Sequence, residues 1–470
     1  MFHAGASRGS ACVHDVPAPM VRARPDDGAA KGEEAILGGV EQRLGSLRAL
    51  LTRAHREMAL EFGFRLWDGS SVPGDWPAGS LAVAIADEGV IAALLRAPRI
   101  TTLANLWAAK RIDLVNGTLF DLVARRPKGR TRDLRKALLS LPALKTGFGF
   151  LFISRGGPWP LEAIGKDRES GGSAAANKKN IAYHYDISNA FYELWLDPEM
   201  IYTCAYFHDW SDSLDQAQLQ KIDMTCRKLR LKRGDAVLDI GCGWGALACH
   251  AAQRYGAKVH GVTLSEAQAA YARAKVKRLG LEESVTIELI DYALTPGEAR
   301  FDKIVSIGMF EAIGAASFQT YFATVHRLLK PGGLYLHHAI TRPGGSRAAR
   351  TGKKRADFAA LTRHIFPGGE LDYIGGTVTG LERNGFEVHD VEGWRAHYQR
   401  TCRFWHDRLA ARYEAACAEV GEVTTRVWIA YLAACSIAFE RNNCGLYQTL
   451  ASRRVKGPVD LPPTRVDLYR

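Results

Sequence analysis

The spacing of apolar positions changes character along the 470-residue chain. Leu44, Leu47, Leu50 and Leu51 recur at helical spacing and predict an amphipathic helix over 38–55. Short apolar runs at 61–67 and 80–86 end at Asp68-Gly69 and Glu88-Gly89, which predicts strands closed by turns. Residues 91–95 and 100–107 are helical or mixed, Asn116-Gly117 is another turn, and 138–152 is apolar enough for a helix. That helix either packs on one neighbour or lies against a bilayer. Residues 36–165 thus read as a small α+β domain with a docking or dimerisation role.

After residue 180 the texture changes. Residues 181–198 are dense in aromatics and helix-like, with Phe191, Leu194 and Trp195 on one face, and 214–229 repeats at helical period. Apolar runs at 236–240, 258–263, 285–289, 301–307 and 333–339 then alternate with helical stretches at 246–255, 266–279 and 317–329. This rhythm predicts right-handed βαβ units, an α/β fold and a largely parallel sheet, with ligands at the carboxyl ends of its strands. The last helix and strands of the sheet are expected over 361–391, and the chain from Tyr398 onward reads as mainly helical.

One turn stands out within that pattern. The strand at 236–240 runs into Gly241, Gly243 and Gly245, separated by Cys242 and Trp244, and a helix-forming segment follows. Such a turn lets a ligand approach backbone N–H groups at a helix start. A dinucleotide site places an acid at the end of the second strand. Here Thr263 and Ser265 stand there, with no acid before Glu266. The turn also has few basic residues, so an adenosine-type ligand without a pyrophosphate fits better than NAD. Thr263, Ser265 and Gln268 are candidates for its ribose and Asp291 with Tyr292 for its adenine. Glu311 and His338, at the ends of later strands, are candidates for a proton-handling pair.

Composition narrows the rest. Hydrophobic content of 47% and charged content of 24% are ordinary for a globular protein, and no apolar run is long enough to span a bilayer. Residues 1–35 read as a tail without a signal core and 166–179 as a linker, leaving 180–470 as the larger domain. Nine scattered cysteines without a C-x-x-C pair point to a reducing cytoplasm and no zinc ribbon or other metal site. The net charge of +12 is concentrated at 125–136 and 347–355 and suits an anionic surface. No interleaving of aromatic and basic residues speaks for nucleic acid.

Five ordered motifs then carry a specific resemblance. They are Tyr-Thr-Cys-Ala-Tyr-Phe at 202–207, Val-Leu-Asp-Ile-Gly-Cys-Gly-Trp-Gly at 237–245, Gly-Met-Phe-Glu at 308–311, Ile-Phe-Pro-Gly-Gly at 365–369 and His-Tyr-Gln-Arg-Thr at 397–401. Over roughly 177–448 the chain resembles the cyclopropane-fatty-acyl-phospholipid synthase family, which includes the mycolic acid cyclopropane synthases. The preceding α+β unit is similar to the N-terminal domain of longer bacterial members. The resemblance implies a class I S-adenosylmethionine-dependent methyltransferase fold and a cis double bond in a membrane phospholipid as acceptor. It implies a donor site of Tyr202, Thr203, Asp239, Gly241, Gly243, Thr263, Ser265, Gln268, Asp291 and Tyr292. It also implies a bicarbonate ion held by Cys204, Glu311, His338, Ile340 and Tyr398, and a functional cysteine at Cys435. A cysteine flanked by small apolar residues on a helix is equally what core packing uses.

Two departures bear on the product. Ala312 stands where the family usually has histidine, and Asp372 where proline is common. A ring, a methylene branch and a methyl branch are all open as products. So is a lipid-associated donor-binding protein without turnover. Aromatics such as Tyr185, Phe207 and Tyr321 are candidates to stabilise a cation, provided they line the pocket. The expected setting is the inner face of the membrane, bound peripherally through anionic phospholipids, with a homodimer open and no nucleic acid.

Overall fold

The computed structural model describes residues 27–125, 141–164, 187–344, 370–458 and 460–469. Two sheets divide it. The smaller has the order β2-β1-β3-β4, built from β1 (Gly63–Arg65), β2 (Ser71–Val72), β3 (Ala82–Ile85) and β4 (Ile112–Val115). Around it lie α1 (Asp27–Glu57), α2 (Glu88–Arg96), α3 (Ile100–Ala108), α4 (Leu119–Ala124), α5 (Leu141–Leu151) and α6 (Pro160–Ile164). Leu44, Leu47, Leu66, Ile85, Val90, Leu106 and Phe150 fill its core. The helix α1 starts at Asp27, inside the stretch expected to be a tail. The expected helix over 138–152 is α5.

The larger sheet has the order β10-β11-β9-β8-β5-β6-β7. Its strands β5 (Ala236–Ile240), β6 (Lys258–Thr263), β7 (Val285–Leu289), β8 (Phe301–Ile307) and β9 (Leu329–Thr341) run parallel. β10 (Phe386–Gly393) and β11 (Gly445–Arg453) pair antiparallel at one end. Apolar residues occupy consecutive positions because both faces are covered. Val237, Val259, Val305 and Leu336 face one layer with the helices α8 (Leu214–Lys228), α9 (Ala246–Tyr255) and α10 (Glu266–Arg278). Leu238, Ile240, Val262 and Ile304 face the other, with α11 (Phe318–Leu328) and α12 (Ile374–Arg383).

A third layer caps the carboxyl ends of the strands. It contains α7 (Asn189–Glu193), α13 (Arg395–Ala411), α14 (Tyr413–Val420) and α15 (Glu422–Glu440), joined by an aromatic core that includes Trp195, Tyr202, Trp405 and Trp428. Phe191 and Trp195 are fully buried there, but the helix expected over 181–198 is only α7 among the described residues. Ser188 caps its start and Pro198 follows soon after its end.

The stretch from Tyr398 onward is mainly helical as far as Glu440, but β11 then follows and lies inside the sheet between β9 and β10. Gln448, Thr449 and Ser452 are buried along it, so polar residues hide a strand whose two faces are both covered. The two sheet units are clasped together. Trp107 Nε1 donates to Arg426 O at 2.9 Å, and Arg426 Nε donates back to Trp107 O at 2.8 Å while its guanidinium pairs with Asp113. The expected linker at 166–179, the basic segments beyond Arg125 and at 347–355, Tyr185 and the motif at 365–369 lie outside the described residues.

Candidate active site

The strand order reverses direction between β5 and β8, and a cavity of about 450 Å³ opens at their carboxyl ends. Gly241 follows β5 with φ of 78°, and a Cβ there would stand 3.1 Å from Met309 Cβ. Gly308 follows β8 with φ of 68°, and a Cβ there would stand 2.9 Å from Thr203 Cγ2. Any side chain at either position strains the backbone and fills the cavity rim. The glycine turn is thus shaped by closeness to the β8 loop as well as by its own bend.

Nine of the ten residues expected at the donor site line this cavity: Tyr202, Thr203, Asp239, Gly241, Gly243, Thr263, Gln268, Asp291 and Tyr292. Ser265 does not. It is buried as the cap of α10, accepting from Gln268 N at 3.3 Å. The Thr263 hydroxyl donates to Gln268 Oε1 at 3.0 Å and fixes that amide. Asp291 accepts from Ala293 N at 2.9 Å, which shapes the turn carrying Tyr292.

Lys221 of α8 also lines the cavity, and the sequence pattern does not reveal it because a lysine in a polar helix reads as solvated. It is 3% exposed and donates from Nζ to Thr203 Oγ1 at 2.8 Å. No carboxylate among the described residues lies within ion-pairing distance of it. Burial pulls its ammonium down to about 8, against the attraction of Asp197, Cys204 and Asp239. Burial pushes the Asp239 carboxyl up to about 7, against the attraction of Lys221. The cavity therefore holds one acid and one ammonium away from water.

Directly behind its wall sits a second polar cluster. Glu311 occupies a short 3-10 turn (Phe310–Ala312) after β8, and its chain neighbour Ala312 lines the cavity. Glu311 Oε1 accepts from Ile340 N at 2.6 Å, and Oε2 is buried without a hydrogen-bond partner. Burial raises its carboxyl to about 7. His338 of β9 is buried with Nδ1 also lacking a partner, and burial holds it well below the usual imidazole range, so the ring is neutral. Across the sheet His338 faces Gln448 of β11, whose Oε1 accepts from buried Lys228 at 2.8 Å and whose Nε2 has no partner. Sequence patterns miss Gln448 together with its strand.

The Cys204 thiol is fully buried and held well above its usual range by burial, with Ala205 O at 3.2 Å and Trp394 O at 4.0 Å as acceptors. Tyr398 stacks on Phe439 at 4.7 Å, and burial with nearby Cys402, Cys204, Cys435 and Glu311 keeps its phenol protonated. The Ile340 N–H is committed to Glu311, so it orients that carboxyl. The Cys435 thiol on α15 packs against the aromatic core, and burial pushes it up to about 12. Phe207 and Tyr321 are buried in the packed layers and do not line the cavity.

Sheet order, glycine turn and cavity together define the class I S-adenosylmethionine-dependent methyltransferase fold. Within that class, residues 173–449 match the family described as mycolic acid cyclopropane synthetase. The chain belongs to that family. It is 45% identical over 291 residues to a probable fatty acid methyltransferase of Pseudomonas putida, covering 62% of this chain and 73% of that one. It is 38% identical over 276 residues to the cyclopropane-fatty-acyl-phospholipid synthase of Escherichia coli (strain K12), covering 58% and 67%. Among solved structures, the mycolic acid cyclopropane synthase CmaA1 complexed with SAH and CTAB superposes with a TM-score of 0.55 at 33% identity, over 58% of this chain and 98% of that one.

Proposed function

We propose that the chain builds a cyclopropane on a cis double bond of an unsaturated phospholipid acyl chain, taking the carbon from S-adenosylmethionine and using bicarbonate as the base. The observation that carries this reading is the water-excluded cluster of Glu311, His338 and Gln448, with a buried polar atom unsatisfied on each, one residue behind the donor cavity. Buried polar atoms without partners are rare and costly, so a cluster of them fits a small polar guest. The donor fits equally: Asp239 and Lys221 match the two charges of an amino-acid terminus, and Thr263, Gln268, Asp291 and Tyr292 offer a polar and aromatic edge.

When bound, the donor supplies an electrophilic methyl and bicarbonate supplies a modest base. The protein's share is placement and dryness. An alkene is a weak nucleophile, so it must be held in line with water excluded. Tyr202, with its ring 5.1 Å from Trp405 and 6.1 Å from Trp428, joins the cavity to the aromatic core and offers π-faces to developing positive charge. A carboxyl held near neutrality at Glu311 donates a hydrogen bond to an anion when protonated. Neutral His338, the Cys204 thiol and the Tyr398 hydroxyl complete a shell that leaves the guest basic.

A second reading, a methyl or methylene branch instead of a ring, is favoured by two observations. Ala312, small where the family usually has histidine, lines the cavity beside Glu311. The higher identity to a probable fatty acid methyltransferase than to a cyclopropane synthase points the same way. Incubation with methyl-labelled donor and vesicles of cis-unsaturated phospholipid, followed by NMR of the extracted lipid, separates the outcomes. Cyclopropane protons support the first reading and vinylidene or methyl-branch protons the second, while no transfer to lipid refutes both.

A further inference from the structure

A second cavity lies on the N-terminal domain, far in sequence from the glycine turn. It measures about 420 Å³ and is lined by Arg96, Arg99, Thr101, Arg155, Trp159 and Glu162, among others. Three guanidinium groups face one carboxylate there. Arg155 stands 3.5 Å from Glu162 and lies over the Trp159 ring at 4.8 Å. Arg99 has no acidic partner within ion-pairing distance among the described residues. Arg96 donates to Leu151 O at 2.6 Å and so ties the cavity to the end of α5.

The surface beside this cavity is apolar. Of the fifteen large apolar side chains exposed among the described residues, seven belong to α2, α3, α5 and the residue after α5. Leu144, Phe148, Leu151 and Phe152 follow helical spacing along one face of α5, with Phe148 66% and Phe152 77% exposed. The inner face of the same helix buries Ala143 and Phe150. Leu95 of α2 adjoins the helix, its Cδ2 lying 3.6 Å from where a Cβ on Gly147 would be. An apolar face of this kind next to three arginines that share one carboxylate, Glu162, has the chemistry of a lipid interface, acyl contact beside phosphate contact. None of the described helices is long and apolar enough to cross a membrane.

We propose that this face docks the protein on bilayers containing anionic phospholipid, with a lipid phosphate in the arginine-lined cavity and the outer face of α5 in the interfacial region. The proposal rests on the reading of a membrane phospholipid as acceptor. Charge complementarity favours this occupant over a second copy of the chain, because a symmetric contact would bring the arginine clusters together. The basic run at 125–136 immediately precedes α5 in sequence and adds charge of the same sign. The opposite end of α3 carries Trp107 and is clasped to Arg426 of α15, so a docked α3 holds the aromatic layer at a set height above the lipid.

The test is co-sedimentation of the full chain with phosphatidylglycerol–phosphatidylcholine vesicles, at low and high salt. Charge reversal in the double variant Arg99→Glu/Arg155→Glu is expected to weaken apparent binding about 10- to 100-fold, and Phe148→Ser/Phe152→Ser about 10-fold. The Arg99→Lys/Arg155→Lys variant keeps binding, and all variants keep transfer to a detergent-dispersed acyl substrate. Either exchange leaving sedimentation at the wild-type level overturns the proposal. So does binding of soluble glycerol phosphate without vesicle binding, or a change of oligomeric state in place of lost sedimentation. A wild-type chain that sediments with vesicles yet transfers nothing to their acyl chains counts against the acceptor reading alone.

Discussion

The donor cavity and the cluster behind it are built on opposite principles, although both hang from the carboxyl ends of one sheet. In the cavity, polar groups are tied to one another: Thr263 to Gln268, Asp291 to Ala293 N, Lys221 to Thr203. These bonds set the cavity's shape before any ligand enters, as preorganised sites require. In the cluster, Glu311, His338 and Gln448 each keep a buried polar atom unsatisfied. Leaving such atoms unpaired costs stability, on the order of 1–3 kcal/mol for each buried group. The difference teaches that the first site is finished by the fold, whereas the second is finished by what it holds.

The exchange Glu311→Gln tests that contrast with the largest effect. Turnover is expected to fall by about 10²–10⁴ while donor affinity by calorimetry stays within about twofold; lost donor affinity with intact turnover at saturation would erase the distinction between the two regions. The same carboxyl also ties stability to pH. Its pKa rises from an ordinary 4.5 to about 7 on folding, so its contribution is fully present below 4.5 and is lost as pH climbs through 7. Relative to Glu311→Gln, the wild-type chain should lose about 3 kcal/mol of unfolding free energy across that window and nothing further above it. Asp239 and Asp197 titrate in the same direction, which is why chemical denaturation of the two chains must be compared as a difference at each pH.

Lys221→Met sharpens the comparison from the other side. Removing a buried charge-assisted hydrogen bond should raise the donor dissociation constant about 10- to 100-fold, with the rate at saturating donor largely kept. A fall in the saturated rate with affinity unchanged would move Lys221 into the proton-handling cluster. Cys435→Ser is the smallest case. Its thiol is protonated and packed, so turnover should change by less than about threefold, and a drop of the size expected for Glu311→Gln would restore it as a functional residue.

The same contrast explains what could be read from sequence. The strands β5 to β8 were legible to the residue, because two-sided burial leaves uninterrupted apolar runs between capped helices. The donor cavity was legible because most of its wall comes from contiguous segments at strand ends. Lys221 escaped because its environment comes from Thr203 and Asp239, which belong to other segments. Ser265 was readable as polar at a strand end, but only the fold shows its hydroxyl spent on a helix cap. Gln448 escaped with its strand, since β11 mixes buried polar and apolar residues without a period and has no solvent face. The aromatic core misled in the other direction, placing Phe207 and Tyr321 inside packed layers rather than at the cavity.

The position of β11 also orders events during synthesis. Among the described residues β10 pairs only with β11, and β11 reaches β9 from residues 445–453. A nascent chain therefore emerges with the glycine turn and its neighbouring strands in place, while Phe386–Gly393 has no strand to join until residues 445–453 leave the ribosome. At about 5–20 residues per second, that interval lasts seconds. Premature termination just short of residue 445 would yield a protein that still has every strand of the donor cavity and lacks one wall of the proton-handling cluster.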